Sequence, residues 1–382
     1  MARIVRLANF VAPTSGGLAT TLDELGRGYR AAGHDPVLIV PAGRDSARTT
    51  PSGTVVALRS PPLAGLPYRA LVDRPRVRRL LEALRPDRVE VHDRLTLAWV
   101  GSWAWRAGVP AVIVAHERID GILAGRAPGW FPLGAAADAA NRRVLPRFEL
   151  ALCASAYAAA ELHRVRHPAR VRVVPLGVDL ARFRPASPGG RRVPGAGPRL
   201  VAVGRLSAEK RPDVAIATLR ALVRRGAPAH LVMVGDGPAR ARLERAAAGL
   251  PVRFTGHVDR AAVSRLLAGA DVAIAACPVE TFGLAALEAL ASGTAVVAAR
   301  GGALGVVVPA SGPAGRLVDV GVGVDSDAVA DGVEALLDEP EPTRRDAARA
   351  VAEAHPWSRT LDGFLAAHDF AAHDPAGVEA VA

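Results

Sequence analysis

Short, continuously apolar runs alternate with longer stretches of helical spacing along most of the chain. Ile4–Ala8 reads as a strand and leads into a loop holding Ser15-Gly16-Gly17. Leu18, Leu22, Leu25 and Tyr29 then recur on one face of a helix expected over 18–32. Gly33 ends that helix before the strand Val37–Val40. Further apolar runs at Arg88–His92, Ala111–Ala115 and Leu150–Ala154 keep the rhythm. Uniformly apolar strands joined by crossover helices are the pattern of a parallel sheet covered on both faces.

The rhythm breaks over 176–199, where LGVDLARFRPASPGGRRVPGAGPR is dense in proline and glycine and reads as a linker. It then restarts with strands at Leu200–Val203, Ala229–Val234, Val252–Thr255, Val272–Ala276 and Thr294–Ala298, and helices near Pro212–Arg225 and Ala239–Ala248. Trp357–His373 reads as a last amphipathic helix. The expected architecture is α/β, with two doubly wound Rossmann-like domains facing a central cleft. The boundaries are 1–175 for the N-terminal domain, 176–199 for the linker and 200–355 for the C-terminal domain. A helix over 356–373 is expected to cross back to the first domain. A length of 382 residues suits two domains.

Composition narrows the classes. A chain that is 50% hydrophobic has enough apolar material for two cores, which excludes intrinsic disorder. Cys153 and Cys277 sit far apart in strand-like stretches and read as buried thiols in a reducing compartment. MARIVRLANF has too short an apolar stretch for a secretory signal, and no window approaches the roughly 20 apolar residues of a membrane span. The net charge of +11 would ordinarily suggest an anionic partner. The arginines, however, are spread along the whole length, and Lys210 is the only lysine. With aromatics at 4%, the stacking platforms of a nucleic-acid binder are missing, so no nucleic-acid partner is expected.

Two segments carry candidate chemistry. ETFGLAALE at Glu280–Glu288 follows a strand and a Cys-Pro turn, and Gly283 opens the backbone at a helix start. Amide groups of Phe282, Gly283 and Leu284 would point outward there, either as an anion site or as an ordinary capping arrangement. Glu280 would precede the helix and Glu288 would fall in its second turn, too far apart for a close acid/base pair. GRLSAEKR at Gly204–Arg211 follows a strand directly. A glycine turn with Arg205 and Lys210 at a strand's carboxyl end would neutralise a diphosphate, or else is a solvated loop. Asp325-Ser326-Asp327 spells an acidic pair that one class of metal-dependent enzymes uses to hold a divalent ion. Here Asp327 reads as the N-cap of a helix over Ala328–Leu337, and no metal is expected.

Taken together these motifs resemble the retaining glycosyltransferases of the GT-B fold, family 4. The Glu-x7-Glu at Glu280–Glu288 and GRLSAEK are similar to their donor-phosphate elements. PLGVD at Pro175–Asp179, GDGP at Gly235–Pro238, FTGHV at Phe254–Val258 and ALASGTAVV at Ala289–Val297 occur in the same order. SGGL near the start, DRLTL at Asp93–Leu97 and HER at His116–Arg118 look like one subgroup, the actinobacterial GDP-mannose-dependent mannosyltransferases of phosphatidylinositol mannoside synthesis. The resemblance implies that Arg205 and Lys210 grip the donor diphosphate, Glu280 contacts the donor sugar and Glu288 the ribose. It implies that Gly16, Gly17 and Gly204 let loops approach the donor closely. His116 would line the sugar, although a lone histidine there also fits simple packing. Asp93, Arg94 and Arg118 fall on the acceptor side. Where the family commonly has a glutamate, this chain carries Gly305-Val306-Val307.

The implied reaction is same-face transfer of mannose from GDP-mannose, as co-substrate, to a phosphatidylinositol mannoside, with no cofactor. Another nucleotide sugar with a soluble glycan or natural-product acceptor remains open, as does a sugar-nucleotide epimerase of similar architecture. The expected location is cytoplasmic, peripheral on the inner face of the plasma membrane. Tyr68–Pro86 reads as a basic amphipathic helix suited to an anionic bilayer, with Trp130-Phe131 as an apolar wedge, or as a solvated face and a buried loop.

Overall fold

The structure, a computed structural model, describes residues 1–11, 16–63, 68–124, 128, 130–186, 197–320 and 326–373. Ser15, Gly129, Asp325 and 187–196 of the expected linker lie outside the described residues. The chain divides into two compact units, one of Met1–Pro175 with Trp357–Ala382 and one of Leu176–Pro356.

The first unit begins with β1 (Arg3–Leu7), α1 (Gly16–Ala31) and β2 (Asp35–Ala42), followed by β3 (Ser46–Thr50) and β4 (Gly53–Arg59). It continues through α2 (Arg74–Leu84), β5 (Arg88–Val91), α3 (Trp99–Arg106) and β6 (Ala111–Ala115). It then runs through α4 (Ile119–Ala124), α5 (Leu133–Val144), β7 (Leu150–Cys153), α6 (Ala156–Leu162) and β8 (Arg170–Val173). The strands align as β3-β4-β2-β1-β5-β6-β7-β8, all parallel except the β3–β4 hairpin. That hairpin escapes the sequence pattern because β3, Ser-Ala-Arg-Thr-Thr, has no buried face to impose an alternation.

The second unit contains β9 (Arg199–Val203), α7 (Pro212–Arg224), β10 (His230–Val234), α8 (Arg240–Ala246), β11 (Val252–Gly256) and α9 (Arg260–Ala268). After these come β12 (Val272–Ala275), α10 (Leu284–Ala291), β13 (Ala295–Ala299), β14 (Gly315–Val318), α11 (Ser326–Leu337) and α12 (Glu341–Glu353). Its sheet is wholly parallel in the order β11-β10-β9-β12-β13-β14. Residues 176–186 pack into this unit: Phe183 is buried and Arg349 donates to its carbonyl at 2.8 Å. In both sheets the chain winds outward from a central strand and then reverses. The reversal lies between β1 and β5 in one unit and between β9 and β12 in the other. Ligands of such sheets bind beyond the carboxyl ends of the strands at that reversal. Each unit therefore has one privileged edge.

The last helix, α13 (Trp357–His373), belongs to the first unit. Phe364 and Ala367 pack with Val112, Val114, Leu150 and Leu152 on the outer face of the sheet. Thr360 Oγ1 donates to the carbonyl of Pro175 at 2.9 Å. Both cysteines are buried and unpaired.

Two local expectations need correction. The basic helix is shorter than Tyr68–Pro86: it spans Arg74–Leu84, capped by Asp73, which accepts from the Arg76 amide, and ended by Arg85 in the left-handed region before Pro86. Its Val77 and Leu81 are buried and Leu80 and Leu84 pack against the same core, so the apolar stripe faces the protein interior. Asp327 is not a cap but lies in the first turn of α11, paired with Arg225 at 3.1 Å. Among the described residues no helix is long and apolar enough to cross a membrane.

The packing of α13 predicts that Phe364→Ala lowers stability by about 3–5 kcal/mol, since a large aromatic is lost from a filled site. Urea unfolding followed by circular dichroism checks this, and a loss below 1 kcal/mol would mean the helix is not anchored there.

Candidate active site

In the second unit the chain leaves β9 at Gly204 and turns through Arg205 to Ser207 into a short 3-10 turn, Ala208–Lys210. This loop rests on the one that follows β10. The Leu206 amide donates to the Asp236 carbonyl at 3.0 Å, and the Ala239 amide donates to the Leu206 carbonyl at 2.9 Å. A Cβ at Gly235 would sit 2.0 Å from the Gly204 carbonyl oxygen, and Gly235 has φ of 133°. Only glycine allows that approach, which is the physical content of the GDGP turn.

At the reversal, β12 leads through Cys277-Pro278 to Glu280 and then to Gly283, which caps α10 with φ of 101°. Lys210 Nζ donates to Glu280 Oε2 at 2.8 Å and so joins the loops after β9 and β12. A third segment holds the Glu280 turn from behind. The Ala303 amide donates to the Glu280 carbonyl at 2.7 Å. Gly302 has φ of 69°, and a Cβ there would lie 2.6 Å from that same oxygen. Gly204, Arg205, Lys210, Glu280 and Gly283 all line one pocket, together with Cys277, whose thiol burial pushes up to about 11. Phe282 is buried and leaves its backbone to the helix start. Leu284 begins the helix. Glu288 stands in the second turn and pairs with Arg260 on α9 at 3.2 Å.

Gly305, Val306 and the buried Val307 form and follow a 3-10 turn behind Gly283. Among the described residues no group of three or more His, Cys, Asp or Glu could hold a metal ion.

In the first unit the candidates gather beyond β5 and β6, next to the reversal between β1 and β5. Asp93 is buried and holds its own loop, accepting from the amides of Leu95 at 2.8 Å and Thr96 at 3.3 Å and from Asn9 Nδ2 at 3.2 Å. Arg94 is buried too, bound to Glu161 at 2.9 Å, Asn141 at 3.0 Å and the Glu117 carbonyl. Arg94 thereby ties the loop after β5 to α5 and α6, and Asp93 ties the same loop to Asn9 after β1. Arg118 pairs with Asp120 at 2.6 Å and lies 4.5 Å over the Tyr157 ring. Gly16 and Gly17 are exposed at the first turn of α1. His116 follows β6, and its Nε2 lies 2.8 Å from His92 Nδ1.

The sequence reading missed several members. Arg260 was lost among the many arginines. The Gly301-Gly302 pair carried a usable signal, two glycines one residue past a strand. Glu90 and His92 carried a stronger one, a carboxylate and an imidazole set into an otherwise apolar strand.

Two parallel Rossmann-like units, each with polar loops at its reversal, define the GT-B class of sugar transferases. Comparison with known proteins agrees. Residues 15–182 match the model for Glycosyltransferase Family 4, and residues 185–353 that for Glycosyl transferases group 1. The chain is 43% identical over 95% of both lengths to a GDP-mannose-dependent alpha-(1-6)-phosphatidylinositol dimannoside mannosyltransferase of Mycobacterium tuberculosis. It is 32% identical to a D-inositol 3-phosphate glycosyltransferase of Rhodococcus opacus, covering 72% of this chain and 65% of that one. Among solved structures it resembles sucrose-phosphate synthase from Thermosynechococcus elongatus, with a TM-score of 0.79 at 23% identity, over 97% of this chain and all of the other. WaaG, a glycosyltransferase of lipopolysaccharide biosynthesis, gives 0.70 at 17% identity over 96% of this chain and 99% of that one. The chain belongs to glycosyltransferase family 4 and is a glycosyltransferase.

The grip on Glu280 predicts that Gly302→Ala displaces the turn and weakens nucleotide-diphosphate binding about tenfold or more, because about 1–3 kcal/mol of backbone strain enters at that point. Calorimetric titration with GDP and UDP reads this. Wild-type affinity in the variant would show that the turn does not shape the pocket.

Proposed function

We propose that this chain transfers mannose from GDP-mannose to a phosphatidylinositol mannoside, forming an α-mannosyl linkage with retention. The observation that carries the reading is the 43% identity, over 95% of both chains, to the mycobacterial dimannoside mannosyltransferase. In this reading Lys210 and Arg205 hold the donor diphosphate, and the start of α10 adds its amides and the positive end of its dipole. Lys210, paired with Glu280 in the structure, is drawn toward the diphosphate when the donor binds. Glu280 is then left to accept hydrogen bonds from sugar hydroxyls, and Glu288 from those of the ribose. His116 contacts the donor sugar. Residues 1–175 serve the acceptor and 200–355 the donor, with 176–199 as the connection.

The chemistry needs no protein nucleophile. The bond from the anomeric carbon to the diphosphate oxygen breaks as the acceptor oxygen bonds on the same face. The acceptor's proton passes to the departing phosphate. Catalysis is then positioning of the two substrates and stabilisation of the charge that develops on the diphosphate. Lys210 and Arg205 supply that stabilisation without a divalent ion.

A glycolipid acceptor places the enzyme on the inner face of an anionic membrane. Support comes from the first unit, where Trp130 is 81% exposed beside Phe131, and where Arg74, Arg78, Arg79 and Arg85 are exposed on and after α2. With the apolar stripe of α2 buried, adhesion would come from charge and from the aromatic wedge.

The test is donor turnover by the purified protein in EDTA, comparing GDP-mannose with UDP-glucose, UDP-GlcNAc and ADP-glucose. Selective release of GDP is expected. Selectivity for a UDP-sugar would keep the family and overturn the mannoside reading. Lys210→Met is expected to lower kcat/KM about 100-fold or more, the scale of losing one charge-stabilising donor, with little change in the melting temperature. A loss under threefold would remove Lys210 from the diphosphate.

A further inference from the structure

The turn that carries Lys210 lies between two fixed points of the second unit. Upstream, the loop after β10 holds Leu206, and downstream Pro212 starts α7. The turn itself is closed by the Lys210 amide on the Ser207 carbonyl at 3.1 Å and the Arg211 amide on the Ala208 carbonyl at 3.2 Å. Arg211 ends it in the left-handed region, with φ of 50°, where a residue with a Cβ is strained. A turn closed in this way needs support from its neighbours to stay where it is.

Among its ties across the reversal, two reach the residues after β12. One is the ion pair of Lys210 with Glu280 at 2.8 Å. In the proposed function that pair opens when the ammonium moves to the diphosphate, so its hold on the turn is lost just when Lys210 is needed in place. The other tie is Cys277, whose Sγ donates to the Glu209 carbonyl at 3.2 Å, one residue before Lys210. Cys277 is 5% exposed and lines the same pocket. The Val279 amide faces the same sulfur. The sulfur therefore stands between the backbones of the two turns, and this tie spends no charge that a ligand would take over.

A thiolate could not make the tie, because the bond to a carbonyl needs the S–H. Burial pushes the thiol up to about 11, although the nearby charge of Lys210 pulls the other way. Cys277 therefore keeps its proton across neutral pH, where an un-ionised thiol is a poor nucleophile. Its chemistry at this place is hydrogen bonding.

We propose that Cys277 is a positioning residue for the transfer reaction: its thiol holds the Glu209 carbonyl, so that the Lys210 turn keeps its place at the pocket while Lys210 exchanges Glu280 for the donor diphosphate. This rests on the proposed role of Lys210, through which Cys277 acts. The effect is modest because a thiol is a weak donor.

The test is calorimetric titration of the full chain with GDP over a cycle of wild type, Cys277→Ala, Lys210→Met and the double variant. Cys277→Ala is expected to weaken GDP binding about three- to tenfold, the scale of one neutral hydrogen bond. Cys277→Ser, whose hydroxyl still donates, is expected to stay within twofold of wild type. In the Lys210→Met protein, Cys277→Ala should add less than twofold, since no ammonium is left to aim. Equal losses in both backgrounds would overturn the inference and make Cys277 a packing residue, with the role of Lys210 standing. Wild-type GDP affinity in Lys210→Met would overturn that role and this inference with it. A protein that prefers UDP would overturn the proposed donor, and the same cycle run with UDP would still decide Cys277. If Cys277→Ala does not fold, the thiol itself reports. Infrared spectra of the wild type, with Cys277→Ser separating its S–H band from that of Cys153, should show a hydrogen-bonded S–H that persists with GDP bound. A band that moves to the position of a free thiol on binding would overturn the inference.

Discussion

An ammonium and a carboxylate held 2.8 Å apart, Lys210 and Glu280, join two loops that are more than 60 residues apart in sequence. Those loops leave β9 and β12, the adjacent strands between which the second sheet reverses direction. The reversal opens a gap that no crossover helix fills, so whatever binds there must be held by loop residues. The ion pair crosses that gap. Two further segments keep its members in place. The loop after β10 supports the Lys210 side from below, and the Ala303 amide grips the Glu280 turn from behind. A half-exposed ion pair contributes little stability of its own. Its significance is that two opposite charges stand close together and partly exposed at the reversal.

The first unit solves a different problem. Its reversal lies between β1 and β5, and there the interior is polar. Glu90, His92, Tyr29, His368 and Arg6 form a buried cluster in which every oxygen of Glu90 is occupied. Such clusters are tolerated only when satisfied, and once satisfied they hold their members in one arrangement. Asp93 and Arg94 extend the same principle to the neighbouring loop, each spending its charge on protein partners. The two units thus differ at their reversals: one presents a partly exposed ion pair, and the other buries a satisfied polar cluster.

The doubly wound sheets were legible because buried parallel strands such as Leu200–Val203 and Val272–Ala275 are continuously apolar and their helices are periodic. The β3–β4 hairpin was not, because an exposed edge strand has no pattern to declare. The loops with Arg205, Lys210 and Glu280 stood out through glycine punctuation and a single lysine among arginines. The protein partners of Asp93 and Arg94 did not follow from their motif, since only packing decides which neighbours a charged side chain meets. The α2 helix makes the same point: spacing gave its apolar stripe correctly, and tertiary contact decided that the stripe faces inward. Glu90 and His92 lay in plain view in the strand but were absorbed into it as mere polar interruptions.

In the proposed reaction the acceptor attacks on the face the diphosphate leaves, and the departing diphosphate, steadied by Lys210 and Arg205, takes the acceptor's proton. The anomeric configuration of the product tests this most directly. GDP-mannose and a phosphatidylinositol dimannoside would be incubated with the purified enzyme, and the one-bond carbon–proton coupling at the new anomeric centre measured by NMR. The account predicts an α-linked mannose, the configuration of the donor. A β-linked product would contradict it, because inversion requires attack from the face opposite the departing diphosphate.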